Sequence, residues 1–149
     1  MGQNMVPVQI TPYEHTDFSE CARLMSFCVG NDARQELREY LNNPSVRVFC
    51  ARGDRLYGVI LLLLSPDCCD ILDIAVDTPV RRKGVAGALV RHAEDVCRKS
   101  GIGSMMLEVR LSNTAAREFY KSYGFIEISQ RKNYYSSPTE TAAVMKKEI

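Results

Sequence analysis

A single α/β domain built on a mixed sheet is the fold class this sequence predicts, and three observations predict it. Between residues 46 and 76, apolar runs at strand spacing follow one another with tight turns, which favours an antiparallel meander. After Val76 the rhythm changes to that of a long amphipathic helix, Arg82 to Lys99, and strand spacing returns at Ser104 to Val109. Strand, crossover helix and strand in that order make a right-handed parallel unit. The 149 residues suffice for one such domain with a proper core, and 46% hydrophobic with 25% charged residues is a globular balance.

In chain order, Val6 to Ile10 reads as a first strand. Thr16-Asp17 offers an N-cap, with Glu20 placed to complete a capping box, and Phe18, Ala22, Met25 and Val29 follow at helical spacing. Gly30-Asn31-Asp32 breaks that helix, and Ala33 to Leu41 forms a second, stopped by Asn42-Asn43-Pro44. The meander then runs through Val46 to Arg52, Leu56 to Ser65 and Asp70 to Val76, with turns at Gly53-Asp54 and Pro66-Asp67. In the long helix, Val85, Leu89, Ala93, Val96 and Cys97 form the apolar stripe. Asn113 to Ser122 is a further helix closed by Gly124, and Ile126 to Lys132 and Ala142 to Lys147 are the last strands. About seven strands and four helices result.

Composition excludes several classes of function. A net charge of +1 gives no global field for nucleic acid or membrane, and the aliphatic run Val59 to Leu64 is far short of the roughly 20 residues that span a bilayer. The first fifteen residues lack the basic-then-apolar order of a signal peptide, so a cytoplasmic protein is expected. The six cysteines form no CxxC pair and only two histidines are present, so no metal is expected and the cysteines read as small core hydrophobes.

The stretch "VRRKGVAGALV", Val80 to Val90, leaves a strand and opens a helix. The first amides of a helix have no partner within it, and the helix dipole adds partial positive charge there. Gly84, Ala86 and Gly87 keep side chains small, while Arg81, Arg82 and Lys83 add charge, so a phosphate would be well served. The alternative is a solvated, cation-rich helix start that binds nothing. GxxxxGK[ST] and GxGxxG are both absent, which leaves RxxGxA, written as Arg81-Arg82-Lys83-Gly84-Val85-Ala86.

With "DIAVDTPVRRKGVAGALV", "MMLEVRLSNTAAREFYKSYGF" and "QRKNYY" in one order, the sequence resembles the GNAT-family N-acetyltransferases, over about half the chain. "LEVR", "SN", "FY…GF" and "NYY" narrow the resemblance to the RimI type, the ribosomal-protein alanine N-acetyltransferases. The resemblance implies acetyl-CoA as cosubstrate, with Ile74, Ala75 and Val76 pairing with its pantetheine arm. It assigns the pyrophosphate to Arg81, Arg82, Lys83, Gly84, Val85, Ala86 and Gly87, and a contact with the arm to Asn113, which also works as a plain helix cap. It implies a protein N-terminus or a small amine as acceptor, and a monomer or homodimer.

Glu108 is a carboxylate inside an otherwise apolar strand, expensive unless paired or wet, and an upward pKa shift is expected. The resemblance makes it the general base, and makes Tyr120 the acid that protonates departing CoA thiolate. Tyr134-Tyr135, expected to follow a strand and open a polar loop, suits coverage of an extended peptide. No acidic cluster is evident near the catalytic segment to capture a polyamine. The first half fits the RimI type poorly: Phe27-Cys28-Val29-Gly30 stands where Pro-Trp-Ser is usual, and the acidic pair before the last strand is reduced to Glu140-Thr141.

Overall fold

The structure, a computed structural model, describes residues 5–29 and 31–149, with residues 28 and 29 described by their backbone only. Seven strands form one sheet in the order β1-β2-β3-β4-β5-β7-β6. They are β1 Gln9–Pro12, β2 Val46–Arg52, β3 Leu56–Leu64, β4 Cys69–Val76, β5 Ser104–Arg110, β6 Ile126–Tyr135 and β7 Glu140–Glu148. Helices α1 (Phe18–Val29) and α2 (Arg34–Leu41) cover one face, and α3 (Val85–Lys99) and α4 (Thr114–Ser122) the other. β1 to β4 form the expected antiparallel meander, and β4 and β5 pair in parallel around α3.

Both faces being covered explains the continuous apolar run in β3. Tyr57, Ile60 and Leu62 enter the core under α3, while Val59 and Leu61 pack with Leu24, Met25 and Leu37 of α1 and α2. Cys21, Cys50, Cys69 and Cys97 are buried free thiols. No described helix is long and apolar enough to cross a membrane.

Several boundaries differ from the expected ones. The first strand pairs with β2 only from Gln9, because the Val6 N–H goes instead to the Lys83 carbonyl (3.0 Å) and Pro7 has no N–H. The expected cap at Thr16-Asp17 is replaced by a single 3-10 turn, His15–Asp17. There the Asp17 carboxylate accepts from the Glu14 N–H (2.9 Å) and pairs with Arg52 on β2 (2.5 Å). Glu20 pairs with Arg23 instead (3.0 Å). The long helix begins at Val85, not Arg82, because Arg82 (φ 62°) and Gly84 (φ 87°) are left-handed and turn the chain before the helix can start. The helix break expected at Gly30 lies outside the described residues.

Two irregularities position the site. In β4 the register slips so that Leu62 faces Ile71 while Leu61 faces Asp73, leaving Leu72 as an extra residue. Such a bulge flips the alternation of the strand beyond it. Cys69 and Ile71 therefore point into the core under α3, whereas Ala75, which simple alternation would put beside them, packs under α1 and α2. Moreover, β4 and β5 pair only at Cys69↔Met105 and Asp70↔Met106. Beyond Asp70 the two strands part, and the sheet is open between their C-terminal halves.

Candidate active site

A cavity of about 350 Å³ occupies that opening on the α3/α4 face. Ile74 and Val76 of β4 form one wall, the turn and first residues of α3 another, and Phe119, Tyr120 and Tyr123 of α4 the third. The first helical hydrogen bond of α3 runs from the Ala88 N–H to the Gly84 carbonyl (3.0 Å), so the amides of Val85, Ala86 and Gly87 precede the ladder. No side chain stands between Gly87 and its neighbour: a Cβ there would lie 1.9 Å from the Tyr123 hydroxyl, which also accepts from Arg91 (3.2 Å). Arg81 reaches back to the Val76 carbonyl (3.2 Å), and Arg82 is exposed beside the turn. Small residues, helix-end amides and three neighbouring cations fit a diphosphate at one end of the cavity, and its apolar remainder fits a flexible, uncharged arm.

Tyr120 lies deepest in that cavity, 6% exposed and edge-on to Phe119 (5.1 Å) and Phe125 (5.5 Å). Burial pushes its phenol up, with the charge of Asp73 adding to the effect, so the proton stays on the oxygen throughout the neutral range.

On the opposite face, β5 presents Glu108 between Met106 and Arg110, since Met105, Leu107 and Val109 fill the core. The charge of Glu108 is expensive unless paired or wet, and Arg131 of β6, 3.4 Å from it, supplies the pairing. Tyr134 and Tyr135 lie edge-on (5.0 Å) within β6, rather than after it. The strand runs on because Tyr135 still pairs with Glu140 after an irregularity centred on Asn133 (φ 53°). Arg110 stacks on Tyr135 (4.5 Å), pairs with Glu140 (3.2 Å) and donates to the carbonyls of Ser136 and Pro138, which holds the β6–β7 loop against the site. Burial pushes the Tyr135 phenol up to about 12, with Tyr134 and Glu108 contributing.

Of the residues assigned to the cosubstrate, Ile74, Val76, Arg81, Arg82, Gly84, Val85, Ala86 and Gly87 line the cavity. Ala75 does not, because the bulge turns it to the other face. Lys83 is also outside the lining, and Asn113 caps α4, its Oδ1 accepting from the Ala116 N–H (3.1 Å). Three residues went unremarked in the sequence. Asp73 is partly buried on the Glu108 face of the opening, and Glu36 and Tyr40 of α2 lie near it. Carboxylates therefore do gather at the site, contrary to expectation. Asp73 was detectable by the criterion that singled out Glu108, a charge within an apolar strand ("ILDIAV"); Glu36 sits on an ordinary polar helix and gave no signal.

The sequence profile of the Acetyltransferase (GNAT) family matches residues 12–125. This chain belongs to the GNAT family. The [ribosomal protein bS18]-alanine N-acetyltransferase of Escherichia coli K12 is 44% identical over 69 residues, so the match spans about half of either chain (46% and 47%). The enzyme of that name from Haemophilus ducreyi is 29% identical over 132 residues, 87% of this chain and 88% of its own. Among solved structures, the Escherichia coli ribosomal-protein-S18-alanine N-acetyltransferase superposes with a TM-score of 0.87 at 26% identity, over 96% of this GNAT chain and 94% of that one. A GNAT acetyltransferase from Elizabethkingia anophelis with acetyl-CoA bound shares the fold at a TM-score of 0.81 and 18% identity, covering 95% and 98%.

Proposed function

We propose that this GNAT chain transfers the acetyl group of acetyl-CoA to the N-terminal α-amine of a protein, as the ribosomal-protein alanine N-acetyltransferases it resembles are named for doing. One observation carries this reading: an apolar cavity with helix-end amides and cations at one end lies where β4 and β5 part, and Glu108 and the paired tyrosines stand on the strands β5 and β6 beyond that gap. Donor and acceptor thus approach from opposite faces and meet at the gap between β4 and β5.

In this reading Glu108 takes a proton from the acceptor ammonium. The amine nitrogen attacks the thioester carbonyl, the C–N bond forms and the C–S bond breaks. The nitrogen loses its second proton as the thiolate departs and becomes CoA thiol, with the Tyr120 hydroxyl donating a hydrogen bond to the sulfur. The raised pKa of Tyr120 suits hydrogen-bond donation to developing negative charge on sulfur, because a phenolate left in that pocket is disfavoured. An α-amine, with a pKa near 8 against about 10.4 for lysine, needs less help to deprotonate. Tyr134 and Tyr135, with hydroxyls to bond a backbone, flank the face by which a peptide would enter.

A small cationic amine as acceptor is the second reading, and Glu36 with Asp73 is the observation that favours it. A CoA-release assay over peptides with free N-termini, lysine peptides, spermidine and other small amines separates the two. Acetylation of Ala- and Ser-initiated peptides at the α-amine is the expected outcome; faster acetylation of spermidine or internal lysines overturns the peptide reading.

A further inference from the structure

We propose that Asp73 is the acceptor-binding carboxylate of this chain: it receives the positively charged amine at the gap between β4 and β5 and holds it for transfer. The proposal rests on the acetyl-transfer reading above and adds to it how the acceptor is recognised before its proton is lost.

Direction is the first argument. Simple alternation along β4 would put residue 73 under α3 with Cys69 and Ile71. The extra residue at Leu72 flips that parity, so Asp73 shares the face of Ala75, toward α2 and away from the donor cavity.

Position is the second. The charge of Asp73 bears both on Tyr120, in the donor cavity wall, and on Tyr40 of α2. Asp73 lies past Asp70, the last residue of β4 to pair with β5, so it borders the opening. Glu108 stands on the facing strand, and Tyr134 and Tyr135 close the same face from β6.

Unbalanced charge is the third. The influences on the Asp73 carboxyl are burial, the like charge of Glu36 and a hydrogen bond from the Ile74 N–H (2.8 Å). Burial and Glu36 raise it to about 6, so above that pH it is a partly buried anion. Three other carboxylates of the interior have cations at hand: Glu108 has Arg131, Glu94 has Lys147 and Asp17 has Arg52. Asp73 has no ion pair among the described residues. A partly buried charge beside a like charge and without a counterion is costly, and an ammonium seated at the opening supplies the missing counterion.

The test uses the full chain loaded with CoA. Two probes are titrated by calorimetry: a hexapeptide with a free N-terminal alanine, and the same peptide lacking the amino group. At pH 7.5 the wild type is expected to bind the free amine about tenfold more tightly, as for one charge-assisted contact. Asp73→Asn should bind both probes alike, with CoA affinity and circular dichroism unchanged, and Asp73→Glu should restore part of the preference. At pH 5 the preference should shrink in the wild type, because Asp73 is then protonated whereas the α-amine, with a pKa near 8, stays charged. An Asn variant that keeps the preference, or a wild type without one, overturns the proposal. Acetyl-peptide formation is followed separately by mass spectrometry. A wild type that prefers the free amine yet yields no acetylated peptide upholds the role of Asp73 and sinks the acetyl-transfer reading instead.

Discussion

Glu108 and Asp73 interrupt two apolar strands alike, but their surroundings divide their roles. Glu108 lies 3.4 Å from the cation of Arg131, whereas Asp73, equally partly buried, has another carboxylate for its charged neighbour. Glu108→Gln and Tyr120→Phe should each lower turnover by roughly 10² to 10⁴ with acetyl-CoA affinity nearly unchanged, as steady-state kinetics and calorimetry would show. Full turnover in Glu108→Gln would move the base elsewhere. Asp73 also makes a stability prediction. Its folded pKa, about 6, lies above its ordinary value, so its contribution is complete at low pH and is lost as pH rises through about 6. Asp73→Asn should therefore be more stable than wild type at pH 8, by about 1–3 kcal/mol, and equal to it below pH 4, in thermal unfolding. Such a variant gains stability at the expense of function, the trade expected of an active-site charge.

The entry to α3 and the β6–β7 hairpin are the elements on which the two substrate faces depend. Gly84 has a left-handed backbone (φ 87°), and Met5 lies where its side chain would point. Gly84→Ala should cost about 1–2 kcal/mol through the left-handed conformation alone. It should also weaken acetyl-CoA binding, so both thermal unfolding and calorimetry should register it. Strain is the reason a more drastic replacement there, such as Gly84→Asp, would not leave the fold undisturbed. Arg110 ties the hairpin loop to β5 through Ser136, Pro138 and Glu140. Arg110→Ala should raise KM for peptide acceptors severalfold and leave KM for acetyl-CoA unchanged. Equal effects on both would mean that the loop does not serve the acceptor face.

At the scale of the whole molecule the sheet is joined across β4 and β5 by two residue pairs only, Cys69↔Met105 and Asp70↔Met106. The cavity wall draws on both halves, Ile74 and Val76 from one side and Tyr120 from the other, so a donor molecule bound there bridges them. Acetyl-CoA at a hundred times its Kd should add about 2.7 kcal/mol of stability, visible as a raised Tm. The rise should disappear in Gly84→Ala if that turn holds the diphosphate.

Element types and their order were legible in the sequence because burial imposes a period, 3.6 for helices such as α3 and two for strands such as β5. The donor side was legible as well, since "VRRKGVAGALV" is a contiguous turn and its chemistry depends on neighbours along the chain. Local signals do not report pairings over long separations, and these decided the rest. Arg131 reaching Glu108, Val6 binding Lys83 in place of joining β1, and α2 bringing Glu36 near Asp73 all join residues more than twenty positions apart. The bulge at Leu72 is the plainest case. It exists only in the register between β3 and β4, yet it determines which face Asp73 occupies, because one extra residue in a strand reverses every side chain beyond it.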